Sequence, residues 1–184
     1  MKPDPCYIHY DGKTQLHFTC QASNIELVKE LLLLGVDINK QDFDGRTALH
    51  LAKNPVIVKM LLEAGANPDL QNRPSGYTPL LDTFIWHNKP KFDLLVTVSD
   101  LNIKTFYGYT ALMLASRLDD LNIIEILINA GADLYIRNNE GEDFYDLLIT
   151  PSKEIIAAKY PEFLLLRELR IDPASIKALA KNIH

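Results

Sequence analysis

The sequence DFDGRTALHLA at residues 42–52 decides the fold, because shorter copies of it recur along the chain. In the four clearest copies a glycine precedes a threonine by two residues, and a helix-forming segment follows. The glycines are separated by 33, 31, 32 and 33 residues. A period of this size is typical of a protein built from stacked repeats. The repeating units begin near Gly12, Gly45, Gly76, Gly108 and, in a degraded copy, Gly141.

Each unit predicts two helices joined by a reverse turn. In the first unit Thr14 is a natural N-cap, and the helix that it begins is expected to extend to about Ala22. Apolar residues then recur at helical spacing over residues 25–32, which predicts a second helix. Gly35 is expected to end that helix in the left-handed conformation. An extended segment then returns the chain to the next turn.

Three units depart from this pattern. The second is shortened by Asn54-Pro55, and its first helix is predicted to extend from Thr47 through Lys53. The third carries Val98-Ser99 where the other units have glycine, which predicts a distorted helix end. The fifth keeps Gly141 but lacks the threonine and the histidine of the repeated phrase.

The C-terminal part of the chain predicts helices that do not repeat. One is expected from Thr150 to about Lys159, a second over residues 163–169, and a third over residues 174–181. Because a solenoid exposes a hydrophobic face at each end, these helices are interpreted as a cover. The sequence therefore predicts an all-α solenoid, with a repeat domain at residues 1–150 and a helical C-terminal cap at residues 151–184.

Two motifs that stay in phase along the chain resemble the ankyrin-repeat family, and this resemblance covers about residues 8–150. It implies antiparallel helix pairs with projecting β-hairpins, and binding of proteins through the hairpin tips and the inner helices. The first motif comprises TQLH at residues 14–17, TALH at 47–50, TPLL at 78–81 and TALM at 110–113. The second comprises LLGVDIN at residues 33–39, EAGAN at 63–67 and NAGAD at 129–133.

Composition excludes several classes of protein. The chain has 184 residues, of which 47% are hydrophobic, so bulk disorder is not expected. It contains no apolar run of 18 residues, so we expect no membrane span, and its first residues do not have the pattern of a secretory signal. The net charge of −5 argues against nucleic-acid binding. Two cysteines, Cys6 and Cys20, are expected to be reduced thiols in a cytoplasmic protein.

No pattern of residues predicts catalysis, a metal site or a cofactor. His17 and His50 occupy equivalent positions in two units, so a hydrogen bond within the repeat explains both. The sequence has neither a G-x-S-x-G nucleophile motif nor a G-x-x-x-x-G-K-[ST] phosphate loop. We therefore expect a protein that is not an enzyme and is a monomer in isolation.

The positive functional signal lies in the turn residues that do not recur, which include many aromatic and arginine side chains. These residue types are enriched at binding hot spots. The open alternative is that neighbouring turn aromatics simply stack on one another. The predicted partner-binding residues are Phe43, Arg46, Arg73, Tyr77, Trp86, Phe106, Tyr107, Tyr109 and Arg117.

Other functional classes stay open from the sequence. In one, helices within residues 162–183 engage a second partner, as in an adaptor subunit or a microbial effector. In another, the chain is a structural subunit of a homo-oligomer. An enzyme is the least favoured class, because no acid–base or metal constellation converges.

Overall fold

The computed structural model describes residues 8–169, and over this range the predicted all-α solenoid is confirmed. The described residues form no β-strand, only an isolated bridge between Ile8 and Thr14. The expected β-hairpins are therefore reduced to tight turns. The predicted helix at 174–181 lies outside the described residues. The helices are α1 (Gln15–Gln21), α2 (Ile25–Leu33), α3 (Ala48–Leu51), α4 (Pro55–Glu63), α5 (Pro79–Trp86), α6 (Lys89–Leu95), α7 (Ala111–Arg117), α8 (Leu121–Asn129), α9 (Thr150–Lys159) and α10 (Pro161–Leu169).

The helices form two layers. The inner helices α1, α3, α5 and α7 pack one after another, and the outer helices α2, α4 and α6 pack in the same order. Three inner helices also pack against the outer helix of their own unit, α1 against α2, α5 against α6 and α7 against α8. Fully buried aliphatic side chains such as Val28, Ile57 and Ile124 fill the space between the layers. Each such side chain stabilises the stack by about 1.5–3 kcal/mol.

Polar side chains cap the N-termini of several helices, as the sequence predicts. Thr78 Oγ1 accepts a hydrogen bond from the backbone N–H of Leu81 at the start of α5, at 3.3 Å. At the start of α2, Asn24 Oδ1 accepts one from the N–H of Leu27 at 3.1 Å. These side chains satisfy N–H groups that have no partner within the helix.

The second unit lacks almost one turn of its inner helix. Asn54, the N-cap of α4, follows its turn glycine by 9 residues, whereas the outer-helix caps of units one, three and four follow theirs by 12. Helix α3 ends at Leu51 rather than at the predicted Lys53. The three missing residues correspond to most of a helical turn of about 3.6 residues.

The last two described helices close the C-terminal end of the stack. Helix α9 lies beside the fourth unit, because Lys159 pairs with Glu125 at 2.6 Å and Ser152 Oγ donates to Asp119 Oδ2 at 2.8 Å. It takes the place of an outer helix, while the inner helix of the fifth unit is reduced to a turn at residues 144–147.

Helix α10 is fixed by one aromatic residue and one arginine. The buried ring of Phe163 lies 5.1 Å from Phe144 and 5.3 Å from Tyr135, measured between ring centroids. Arg167 Nε donates to Asp143 Oδ2 at 2.8 Å, and the same guanidinium pairs with Asp146. These contacts attach α10 to residues 135–146.

Candidate partner-binding site

The turns stack on one another through the residue two or three positions before each glycine. The backbone N–H of Phe43 donates to the carbonyl oxygen of Asp11 in the preceding turn at 3.0 Å. A methyl group on Gly12 would lie 2.7 Å from Phe43 Cδ1, so the phenyl ring covers that glycine. The main-chain bond recurs from Arg73 to Asp44 and from Phe106 to Ser75, at 2.7 and 3.0 Å.

Three of the predicted binding residues therefore also hold the turns together. Phe43, Arg73 and Phe106 each lie against the glycine of the preceding turn, although all three remain exposed. These side chains thus cover a glycine of the preceding turn, and the predicted turn aromatics do not pair with one another within the described residues. This arrangement also explains why glycine recurs there. A side chain at position 45 would clash with Arg73, and any residue other than glycine would be strained at the φ of +75° that Gly45 adopts.

The two repeated histidines join successive units. His50 Nδ1 accepts from the backbone N–H of Thr47 at 3.0 Å, so the neutral ring carries its proton on Nε2, which donates to the carbonyl oxygen of Tyr77 at 3.1 Å. His17 makes the equivalent bonds to Thr14 and to Arg46. Burial lowers the pKa of His50 to about 3 and also lowers the pKa of His17. The predicted structural role of these rings thus has a geometric basis.

A groove lies along the inner helices of units two to four. Two adjoining cavities of about 400 and 210 Å³ share Tyr77 and Ile85 in their walls. Trp86, which is 63% exposed, and Lys53 line the larger cavity, with the Lys53 ammonium 5.0 Å from the indole centroid. The residues that line these two cavities together form the groove.

Arg117 lines the smaller cavity and is held by an aromatic ring. Its guanidinium carbon lies 5.1 Å from the centroid of Tyr109. Tyr77 and Tyr109 are only half-exposed and pack against the core. Alanine at these two positions would therefore test stability as well as binding. Tyr107, by contrast, is exposed at the tip of its turn.

Arg46 is fixed by carboxylates of its own turn. Its Nε donates to Asp42 Oδ2 at 3.1 Å, and its terminal NH2 group donates to Asp44 Oδ2 at 2.6 Å. Arg46 therefore lines the larger cavity with its charge already compensated. The structure brings Arg46, Tyr77 and Trp86 together around this cavity and places Phe43, Arg73 and Phe106 on the turns.

Two charged residues that the sequence analysis did not identify lie at the floor of the groove. Lys91 is buried, and its Nζ donates to the carbonyl oxygens of Leu49 and His50 at 2.7 and 2.8 Å. These carbonyls belong to the shortened helix α3, so the lysine takes the place of the missing turn. Asp82 is 8% exposed and makes no side-chain hydrogen bond or ion pair within the described residues. Burial raises the pKa of Asp82 and lowers the pKa of Lys91.

Comparison between units gives the signal that would have identified this pair. Asp82 is the fourth residue after its capping threonine, and Lys91 is the third residue after its capping asparagine. The other units carry apolar residues at both positions. The counterparts of Asp82 are Phe18, Leu51 and Leu114, and those of Lys91 are Leu27, Ile57 and Ile123.

Two exposed apolar residues of the groove were also not identified from the sequence. Ile85 is 49% exposed and Leu118 is 52% exposed, and each lies at the C-terminal end of an inner helix. Exposed aliphatic side chains at the ends of inner helices face the groove rather than the core.

The described residues give no geometric support for metal chemistry. Within residues 8–169 no group of three or more histidine, cysteine or carboxylate side chains converges as a metal site would require. Cys20 is buried, and burial raises the pKa of its thiol to about 12. Such a thiol is a poor nucleophile, because the thiolate is the reactive form. Among the helices described, none is both long and apolar enough to cross a bilayer.

Comparison with known proteins agrees with this architecture. The chain is 28% identical over 160 residues to the B-cell lymphoma 3 protein homolog of Mus musculus, covering 83% of this chain and 35% of that protein. It is 35% identical over 131 residues to the mitochondrial disaggregase of Bos taurus, covering 66% of this chain and 19% of that protein. The chain thus spans about a third of one relative and a fifth of the other.

A solved structure and a family model give the same result. The crystal structure of the ankyrin repeat domain of Bcl-3 matches with a TM-score of 0.76 at 26% identity, covering 84% of this chain and 72% of that chain. Residues 2–72 and 52–138 match the family model described as "Ankyrin repeats (3 copies)". The chain therefore belongs to the ankyrin-repeat family, whose members' repeats are generally non-catalytic modules of protein–protein interaction.

Proposed function

We propose that this chain binds a partner protein, without catalysis, through the groove and the neighbouring turn tips. One observation carries the proposal: Ile85, Trp86 and Leu118 expose apolar surface next to one another along a preformed concavity. Apolar surface that is exposed together commonly marks an interaction site. A groove built on packed helices also loses little conformational entropy on association, which favours binding.

The test compares the groove with the opposite face of the solenoid. Trp86→Ala combined with Tyr107→Ala removes exposed aromatic area from the groove and from one turn tip. Leu33→Ala combined with Val56→Ala removes exposed apolar area from two outer helices and is the matched control. All four side chains are exposed, so neither variant should lower the melting temperature by more than about 2 °C.

Each variant is then used in pull-downs from native lysate with quantitative mass spectrometry. The proposal expects a protein captured by the wild type in near-stoichiometric amount to be lost with the groove variant and kept with the outer-helix variant. Equal loss with both variants, or capture that neither variant changes, would contradict binding through the groove.

A second candidate function concerns the C-terminal helices, residues 162–183, as a binding element of an adaptor subunit or a microbial effector. Its support is that Leu165 and Leu169 of α10 are exposed and lie four residues apart, on one side of the helix. Truncation after Tyr160 distinguishes the roles. If residues 162–183 serve only as a cap, the truncated chain should aggregate or unfold; a stable truncated chain that loses a partner would favour the second function.

The oligomeric state and location are also proposals. We propose a monomer in isolation, acting in the cytoplasm, and the buried, unpaired thiol of Cys20 is consistent with a reducing compartment. Light scattering of the purified chain tests the first point, since a mass near 20.9 kDa is expected for a monomer. Fractionation of the source cells tests the second.

A further inference from the structure

The charge of the groove differs in sign from that of the whole chain. Four basic side chains and two acidic ones line the two cavities, which gives the groove a net charge of +2 in a chain whose net charge is −5. His50 adds no charge at neutral pH, since burial lowers its pKa to about 3. The groove therefore differs from the acidic remainder of the molecule, and this difference favours an acidic ligand.

Two of the four basic side chains are available to a ligand. Arg46 is paired with Asp42 and Asp44, and Lys91 is buried against main-chain carbonyls. Lys53 and Arg117, in contrast, form no ion pair with a carboxylate within the described residues.

Aromatic rings hold these two cations in place. The Lys53 ammonium lies over Trp86, and the Arg117 guanidinium lies over Tyr109, each at about 5 Å from the ring centroid. A guanidinium stacked on a ring keeps its in-plane N–H groups free for an anion, and an ammonium keeps those N–H groups that do not face the ring. Both cations are already partly ordered and lose less freedom when an anion binds. Ile85, which lines both cavities, lies between the two positions.

We infer that the groove recognises an acidic segment of a partner protein, in which two carboxylates flank one or two apolar side chains. The carboxylates pair with Lys53 and Arg117, and the apolar side chains contact Ile85 and Trp86. This inference rests on the proposed function and adds the chemistry of the partner to it. Nucleic acid is the less favoured polyanion, because two available cations are too few for the many phosphate contacts that such binding uses.

A random 12-residue peptide library displayed on phage tests the inference on the intact chain. Peptides selected on the wild type should be enriched in Asp and Glu around a Leu, Ile, Phe or Met. A synthetic peptide of the enriched sequence should bind Lys53→Ala/Arg117→Ala five- to tenfold more weakly, and more weakly at high salt. The matched control is Lys40→Ala/Lys104→Ala, two exposed lysines away from the groove, which should leave the affinity within twofold.

The outcomes separate this inference from the proposed function. Neutral or basic selected peptides whose binding requires Trp86 would overturn the acidic partner while leaving the groove as a protein-binding site. Peptides that bind Trp86→Ala as well as the wild type would contradict both proposals. An unrelated 12-nucleotide single strand that competes as strongly as the selected acidic peptide would show general polyanion binding and overturn the inference.

Discussion

Replacing His50 by leucine is expected to destabilise the protein at neutral pH and to stabilise it, relative to the wild type, at acidic pH. The third unit already carries Leu81 at the equivalent position, so leucine fits this site of the repeat. The change removes the hydrogen bond from His50 Nε2 to the carbonyl oxygen of Tyr77 and the bond that its Nδ1 accepts from Thr47. That carbonyl keeps a second partner, the backbone N–H of Asn72 at 2.8 Å.

The magnitudes follow from these bonds and from the pKa of His50. At pH 7 the loss of two hydrogen bonds, partly offset by burying leucine, is expected to cost about 1–2 kcal/mol. Burial lowers the pKa of His50 from 6.5 to about 3, so between these values the unfolded chain holds more protons than the folded one. Wild-type stability therefore falls as the pH falls through this window, by about 3 kcal/mol at pH 4. The leucine variant lacks this contribution, and the two stability curves should cross between about pH 5 and pH 6.

Urea unfolding followed by far-UV circular dichroism at pH 7, 6, 5 and 4 measures the difference in unfolding free energy between variant and wild type. His87→Asn is the matched control, because His87 is exposed and its φ of +49° suits asparagine. Its difference from the wild type at each pH is the baseline against which the His50→Leu difference is read. A His50→Leu difference that is constant from pH 7 to pH 4 would refute the assignment of His50 as a neutral, buried donor.

Three further predictions concern stability. Lys91→Met should lower the unfolding free energy by about 2–3 kcal/mol in urea titrations, because it leaves the buried carbonyls of Leu49 and His50 without the lysine donor, whereas Lys40→Met should have little effect. Gly45→Ala should lower the unfolding free energy more than Gly35→Ala in the same assay. Positive φ costs each variant about 1–2 kcal/mol, but only the methyl group at position 45 meets the next turn, so equal costs would contradict the stacking of the turns. Phe163→Ala should destabilise α10 by about 3–5 kcal/mol, seen as faster amide exchange in that helix, and unchanged exchange would contradict its role in the cap.

Most of the fold follows from local signals in the sequence. Three signals act within one unit: the capping threonine, the apolar residues at helical spacing and the left-handed conformation of Gly35. Because these signals recur in other units, the same interpretation can be checked several times along the chain. Helix α3 ends two residues before the predicted end, because Asn54 precedes Pro55 and is extended, and the chain is already extended at Ala52.

The site was harder to predict because it depends on contacts between units. Whether an aromatic residue of a turn binds or stacks is decided by the preceding turn, as Phe43 shows by covering Gly12. The position of Trp86 at the end of an inner helix was recognisable from helix periodicity, and its exposure agrees with that interpretation. Its pairing with Lys53 was not recognisable, since it depends on how the shortened unit meets the next one.

Two departures from the repeat pattern lie next to each other in the structure. Helix α3 is short by three residues, and the next unit carries Asp82 and Lys91 where the other units are apolar. Both charged side chains line the cavity that adjoins the end of α3. If they compensate for the missing turn, inserting three residues after Ala52 should be harmful alone, because it forces new side chains against buried charges.

The combined change should restore stability. We expect the insertion alone, and Asp82→Leu with Lys91→Ile alone, each to lower the unfolding free energy by about 2–4 kcal/mol. Together they rebuild the pattern of the other units, and the combined variant should lie within about 1 kcal/mol of the wild type in urea titrations. Additive losses would show that the shortened helix and the charged pair are independent, whereas strong coupling would show that the 400 Å³ cavity exists because one turn of helix is absent.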